Sequence, residues 1–396
     1  MAEAECEKVN SLRRLRGNNS YRSNFIFLQA KIRRWPETAQ VRILKLSEFD
    51  MKTFVCTCGN PLYFDSTVCL KCKAETGLCP NCRSVGPLVR IKPDGLQCGN
   101  AGCGVRVIRC GNFVEIGCNH MVLCHDGNTT SVCDYCKVTT MIPDLSVDGN
   151  REKWRKLERA KHRVLYILDS LGLPFRVDSV NDVPSVTFEF KADAEEPVHT
   201  GHEDGCITIN VREADDVERE KARVEFHEPQ RTLVGHFRHE LGHYFWDRLV
   251  KGQREDEFRE LFGDERSPVY REAMESYYAN GPVPEWRTSS ISAYATMHPW
   301  EDFAETFGAY LDMVTILATG CHWGLVECSS SDVDAMISTY QRIGIVANEL
   351  NRDMGLVDLV PEVFVAPIVE KLRFIHSLAK ATPRDSITSA ATLELV

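Results

Sequence analysis

Thirteen of the seventeen cysteines in this 396-residue chain fall between Cys56 and Cys136. A stretch so rich in cysteine has few large apolar side chains, so it cannot build a core by itself. Disulfides or metal must supply the missing folding energy. The first residues, "MAEAECEKVN", are acidic and lack the apolar centre of a secretory signal. A reducing, cytoplasmic setting is therefore expected, and it favours metal.

The spacing agrees. Cys56 and Cys58 form C-x-C, Cys69 and Cys72 form C-x-x-C, and Cys79 and Cys82 form another; Cys98 and Cys103 follow, and Cys133 and Cys136 close the region. Glycines and small residues beside them suit tight knuckle turns that aim two thiolates at one ion. Pairing in chain order predicts one structural zinc at Cys56, Cys58, Cys69 and Cys72, and a second at Cys79, Cys82, Cys98 and Cys103. Cys110, Cys118, Cys133 and Cys136 would make a third, with Cys124 or His120 as substitutes for Cys118. Cys6, Cys206, Cys321 and Cys328 read as ordinary thiols.

Nine Lys/Arg against eight Asp/Glu over 51–148, and a net charge of -10 for the chain, leave this region without the basic footprint of a nucleic-acid binder. A protein partner held through the ribbons fits better. No apolar run approaches the ~20 residues that span a bilayer, so no membrane role is expected.

Four segments follow. Residues 1–50 are a basic, aromatic-containing extension, read as poorly ordered; 51–148 form the zinc-ribbon module; 149–380 form the larger domain; and 381–396 are a loose tail. Within the larger domain, "REKWRKLERAKHRVLYILDSL" reads as a long amphipathic helix stopped by Gly172. "PSVTFEF" and "CITINV" alternate like strands, and further helices fill the remainder. The fold class is α+β. "CITINV" could be an edge strand open to an extended peptide, or an ordinary sheet strand.

The chemistry centres on "GHFRHELGHYFWD", which carries His239, Glu240 and His243 as H-E-x-x-H. On a helix the two histidines lie one turn apart on one face and can share an ion at about 2.0–2.1 Å. Glu240 is placed to serve as the base for a water. Leu233, Phe237, Leu241, Tyr244 and Phe245 recur at helical spacing, Pro229 suits a first turn, and Thr232 could cap it. Gly242 would leave room beside a metal. A catalytic zinc needs a third ligand, and "SAYATMHPWEDFAETFGAYLDM" offers Glu301 and Glu305, one turn apart. Glu301 as ligand with Glu305 as the acid that orients a ligand is the preferred assignment; the reverse also fits.

"HFRHELGHYFWD" and "AYATMHPWEDFAE", behind a ribbon beginning "MKTFVCTCGN", resemble a family of zinc-binding metallopeptidases with an N-terminal zinc ribbon. The resemblance extends from Met51 to about residue 376 and implies a zincin-like, gluzincin domain similar in its catalytic elements to anthrax lethal factor. It implies His239, His243 and Glu301 as ligands and Glu240 as base. Tyr294, seven residues before Glu301, matches a tyrosine of lethal factor and would stabilise the oxyanion, with His298 in reserve. Members of the family carry His where Ala309 and Asp312 stand here. The expected cofactors are one catalytic and two or three structural zinc ions, and the expected substrate is a peptide or protein. The rival reading is an adaptor that binds protein or nucleic acid through its ribbons, with the zincin-like part as a scaffold.

Overall fold

Short strands punctuated by knuckles build the N-terminal part. The structure is a computed structural model and describes residues 53–92, 95–124, 132–173, 175, 184–194, 197–225, 232–327, 332–361 and 363–381. The extension over 1–50, Pro229 and the tail beyond Ala381 lie outside the described residues. A hairpin joins β1 (Thr53–Val55) to β2 (Pro61–Tyr63). An antiparallel meander then runs β3 (Thr76–Leu78), β4 (Val85–Ile91), β5 (Gly95–Cys98), β6 (Arg106–Arg109) and β7 (Met121–Leu123). Two single-turn helices, α1 (Phe113–Ile116) and α2 (Asp134–Lys137), flank β7.

The next strand, β8 (Thr139–Met141), leaves the ribbon and pairs in parallel with β9 (Thr187–Lys191). It completes a mixed sheet of order β10-β11-β9-β8, with β10 at Gly201–Glu203 and β11 at Cys206–Asn210. β11 is parallel to β9 and antiparallel to β10. "CITIN" therefore lies inside the sheet, and the edge beside it is β10. Of the two readings of "CITINV", the ordinary sheet strand holds and the edge strand does not; the segment "GHE" at the edge is too short to show alternation.

Helix α3 (Asn150–Leu171) ends where Gly172 adopts φ 74°, a left-handed stop that a side chain would strain. α4 (Asp216–Glu225) follows the sheet, and α5 (Leu233–Leu249) carries H-E-x-x-H. The Thr232 hydroxyl accepts the Gly235 N–H at 2.9 Å, so Thr232 is the cap of α5. Phe237 of α5 meets Phe188 and Phe190 of β9 edge-on, ring centres 5.7 and 6.2 Å apart. All three rings are fully buried, each contributing about 1.5–3 kcal/mol. They lock the helix that carries H-E-x-x-H to the sheet.

Then come α6 (Glu255–Phe262), α7 (Tyr270–Asn280), α8 (Pro299–His322), α9 (Val333–Asp353) and α10 (Ala366–Ala381). Pro299 opens α8, and the His298 side chain accepts the Trp300 N–H, capping the helix. α8 crosses α5 closely, with Phe245 stacked on Phe307 at 5.3 Å. A Cβ on Gly242 would sit 2.7 Å from the Cα of Ala304. The space at Gly242 thus belongs to the α8 backbone, which corrects the expectation that it leaves room beside a metal. Arg238 and Asp312 pair across the same interface, so this aspartate ties α8 to α5.

Candidate metal centres

The two histidines and Glu301 converge. His239 Nε2 and His243 Nε2 lie 3.2 Å apart, and Glu301 Oε2 is 3.0 Å from the first and 3.4 Å from the second. Three donors on arms of about 2.0–2.1 Å around a tetrahedral ion are separated by roughly 3.3 Å, so the triangle has the size zinc requires. Glu301 and His243 are buried, and His239 is half-buried.

The protons support a cation. His239 Nδ1 lies 2.6 Å from Glu305 Oε1. An ionised carboxylate only accepts, so Nδ1 carries a proton toward Glu305. Nε2 faces Glu301 Oε2 at 3.0 Å, a contact that calls for positive charge there, supplied by a proton on Nε2 or by a metal ion in its place. Burial opposes a charge on His239, yet Glu301 and Glu305 outweigh it and hold its pKa well above the usual value. Burial also opposes ionisation of Glu301, but His243 and His239 hold its pKa well below the carboxylate range. Glu301 Oε2 and the neighbouring Glu240 Oε2 are buried atoms with no hydrogen-bond partner. A divalent ion with a water would satisfy both.

Glu305 thus sits behind His239, and Glu301 sits on the ligand side. Burial raises the pKa of Glu240, partly countered by His239 and His243. Tyr294 opens a single 3-10 turn, Tyr294–Thr296; its ring centre is 6.0 Å from that of His239 and 5.7 Å from that of Tyr277. His298 is committed through Nδ1 to capping α8, and its ring packs against Tyr270. His236 pairs with Glu213 at 3.3 Å, away from the ligand triangle.

Two residues near this centre have no signal in the sequence pattern. The Tyr270 hydroxyl donates to Glu301 Oε1 at 2.6 Å. His202 on β10 accepts the Gly205 N–H through Nε2 at 3.1 Å and packs on Tyr244 of α5. Tyr270 lies far upstream of the α8 motif in an unremarkable "SPVYREAM", so only the folded chain brings it in.

The cysteines gather in three groups of four: Cys56, Cys58, Cys69 and Cys72; Cys79, Cys82, Cys98 and Cys103; Cys110, Cys118, Cys133 and Cys136. Sulfurs approach at 3.7 Å for Cys56–Cys72, Cys58–Cys69 and Cys79–Cys103, and at 3.8 Å for Cys82–Cys98 and Cys118–Cys133. A disulfide needs about 2.05 Å. The edge of a tetrahedron with Zn–S arms of about 2.3 Å is roughly 3.8 Å, so the groups fit zinc. Gly59 and Gly117 supply left-handed knuckle positions, but after Cys72 and Cys82 the chain uses Lys73 (φ 63°) and Arg83 (φ 52°) instead. Cys124 is exposed and outside the third group, and His120 packs beside Tyr135 and His162 without joining it.

The third group differs from the others. All four of its cysteines are buried, and His162 of α3 reaches Cys136 Sγ at 3.6 Å. Glu158 Oε2 lies 3.0 Å from His162 Nε2 and 2.8 Å from Lys161 Nζ, and all three side chains are buried. Nearby, Tyr135 donates to Asp169 at 2.5 Å and Tyr166 donates to the Arg83 carbonyl at 2.8 Å. The ribbon is sewn to α3 through these polar contacts.

Comparison with known proteins agrees with this anatomy. A family model described as "Putative zinc-binding metallo-peptidase" matches residues 150–378, and a zinc-ribbon domain model matches 53–147. An uncharacterized protein of Mycobacterium tuberculosis and one of Mycobacterium bovis are each 34% identical over 349 residues, covering 85% of this chain and 97% of theirs. No solved structure matches significantly. Among the described residues no helix is long and apolar enough to cross a membrane. The chain belongs to the zinc-binding metallopeptidase family, with a zinc ribbon ahead of its peptidase part.

Proposed function

We propose that the protein is a zinc-dependent peptidase acting on peptide or protein substrates. The observation that carries this reading is the triangle of His239 Nε2, His243 Nε2 and Glu301 Oε2 with the unpartnered Glu240 Oε2 beside it. A zinc ion held by these three residues would polarise a substrate carbonyl and lower the pKa of water toward about 7.

The chain's own groups do the rest. Glu240 takes the proton of the attacking water, helped by the burial that raises its pKa, and hands it to the leaving amine. Glu305 holds His239 in the tautomer that leaves Nε2 free. Tyr294, with its ring beside His239, donates a hydrogen bond to the carbonyl oxygen as negative charge develops there. An extended peptide would lie along β10, whose neighbouring strand β11 pairs with it antiparallel.

The three cysteine groups would hold three structural zincs, giving four zinc ions per chain with the catalytic one. The ribbon is the surface through which a protein partner would be engaged.

The test is a comparison of cleaved peptides from a proteome treated with wild-type protein and with Glu240→Gln. New termini that appear only with wild type support the reading. Identical profiles from both proteins, with zinc present at the site, would sink it in favour of a scaffold.

A further inference from the structure

We propose that Tyr270 is a positioning residue of the His239–His243–Glu301 centre, holding Glu301 by the oxygen that faces away from the histidines. The inference rests on the zinc reading above and adds a residue to it.

A carboxylate has two equivalent oxygens and can rotate between them or offer both. Here the two are told apart. Oε2 faces His239 and His243 at 3.0 and 3.4 Å, while Oε1 accepts the Tyr270 hydroxyl at 2.6 Å. A hydroxyl has one proton to give, and Tyr270 gives it to Glu301. With Oε1 engaged, a single oxygen is left to point at the ion.

The tyrosine itself is fixed. Its ring lies 5.2 Å from that of His298 and 6.0 Å from that of Trp300. Both residues belong to the start of α8, which also carries Glu301, so donor and acceptor share one frame. Helix α7, which Tyr270 begins, buries only Ala273 among its residues.

The experiment uses the full chain and zinc alone. Tyr270→Phe keeps the ring and its packing and removes only the donor. Competition against a chelator should show zinc at the histidine site held 10–100-fold more weakly, with the cysteine-bound zinc and the melting temperature nearly unchanged. Tyr270→His, which restores a ring donor, should regain part of the affinity, a rescue that a purely packing role would not produce. Tyr294→Phe, which leaves Glu301 untouched, should bind zinc like wild type. Wild-type zinc affinity in Tyr270→Phe overturns the proposal. His243→Ala serves as the separate control: if it too binds as much zinc as wild type, the metal site itself is misassigned.

Discussion

A Cβ on Gly242 would lie 2.7 Å from the Cα of Ala304, so the second turn of H-E-x-x-H touches the α8 backbone directly. This contact sets the distance between the helix that carries His239 and His243 and the helix that carries Glu301. Gly242→Ala should push the helices apart, costing about 1–3 kcal/mol by overpacking. Zinc affinity at the histidine site should fall along with stability. A variant with wild-type melting temperature and zinc affinity would show that the interface yields more easily than its geometry indicates.

Glu301 and Glu305 lie on one face of α8 and meet different atoms. Glu301→Ala should abolish zinc at this site, because it removes a ligand. Glu305→Ala should weaken it only about 10–100-fold, because it removes the acceptor that orients His239. Zinc content after dialysis against graded chelator separates the two, and the opposite ranking would reverse the assignment.

The cysteine groups should differ in what they hold up. Cys79 and Cys98 lie in a small cluster with Leu88, Val107 and Met121, apart from the main core. Cys110, Cys118, Cys133 and Cys136 belong to the main core together with Trp154 and Leu157 of α3. Cys79→Ser should open the β3–β7 meander and spare zinc binding at the histidine site; Cys118→Ser should loosen α3 and lower the stability of the whole chain. Hydrogen exchange resolved by segment reads this directly, and equal protection of α3 in both variants would refute it.

Acid should weaken the fold through His202. Burial, aided by His243 and Lys251, lowers its pKa from 6.5 to about 4. Its Nε2 accepts a backbone N–H, which a protonated ring could not do. Between those two pH values the unfolded chain binds a proton that the folded chain refuses, so stability falls as pH drops through this window. The full contribution, about 3 kcal/mol, is present above pH 6.5 and gone below pH 4. His202→Gln should flatten this slope in urea titrations run across the window. An unchanged slope would assign the acid sensitivity elsewhere.

Much of the site was legible because its chemistry repeats at short range. His239 and His243 share a helix face by local periodicity, and each pair of zinc-knuckle cysteines sits within a few residues. Glu301 needed a second motif, since the fold alone brings α8 to α5. Tyr270 and His202 were not legible: each acts across a long sequence interval through one hydrogen bond, which leaves no periodic trace. The charges of Glu158, Lys161 and His162 suggest the wet face of α3, yet all three are buried, because the third cysteine group and β8 cover them. Gly242 signals in the sequence that space is needed there, and only the folded chain shows that the α8 backbone at Ala304 takes it.

The pairing of β8 with β9 bears on how the chain is made. Thr139 lies opposite Phe188, and α3 stands between them in the sequence. Synthesis from the N-terminus exposes β8 before its partner exists. During that interval an open strand edge is a template for wrong pairing. Cys133 and Cys136 lie immediately upstream, so zinc bound by their group would hold β8 of a nascent chain on a folded platform, and a zinc-starved chain would release it. Metal availability during translation would then govern yield more than it governs the finished protein. Cell-free synthesis with and without zinc, followed by late zinc addition, tests this: full recovery of soluble protein by late zinc would show that timing does not matter.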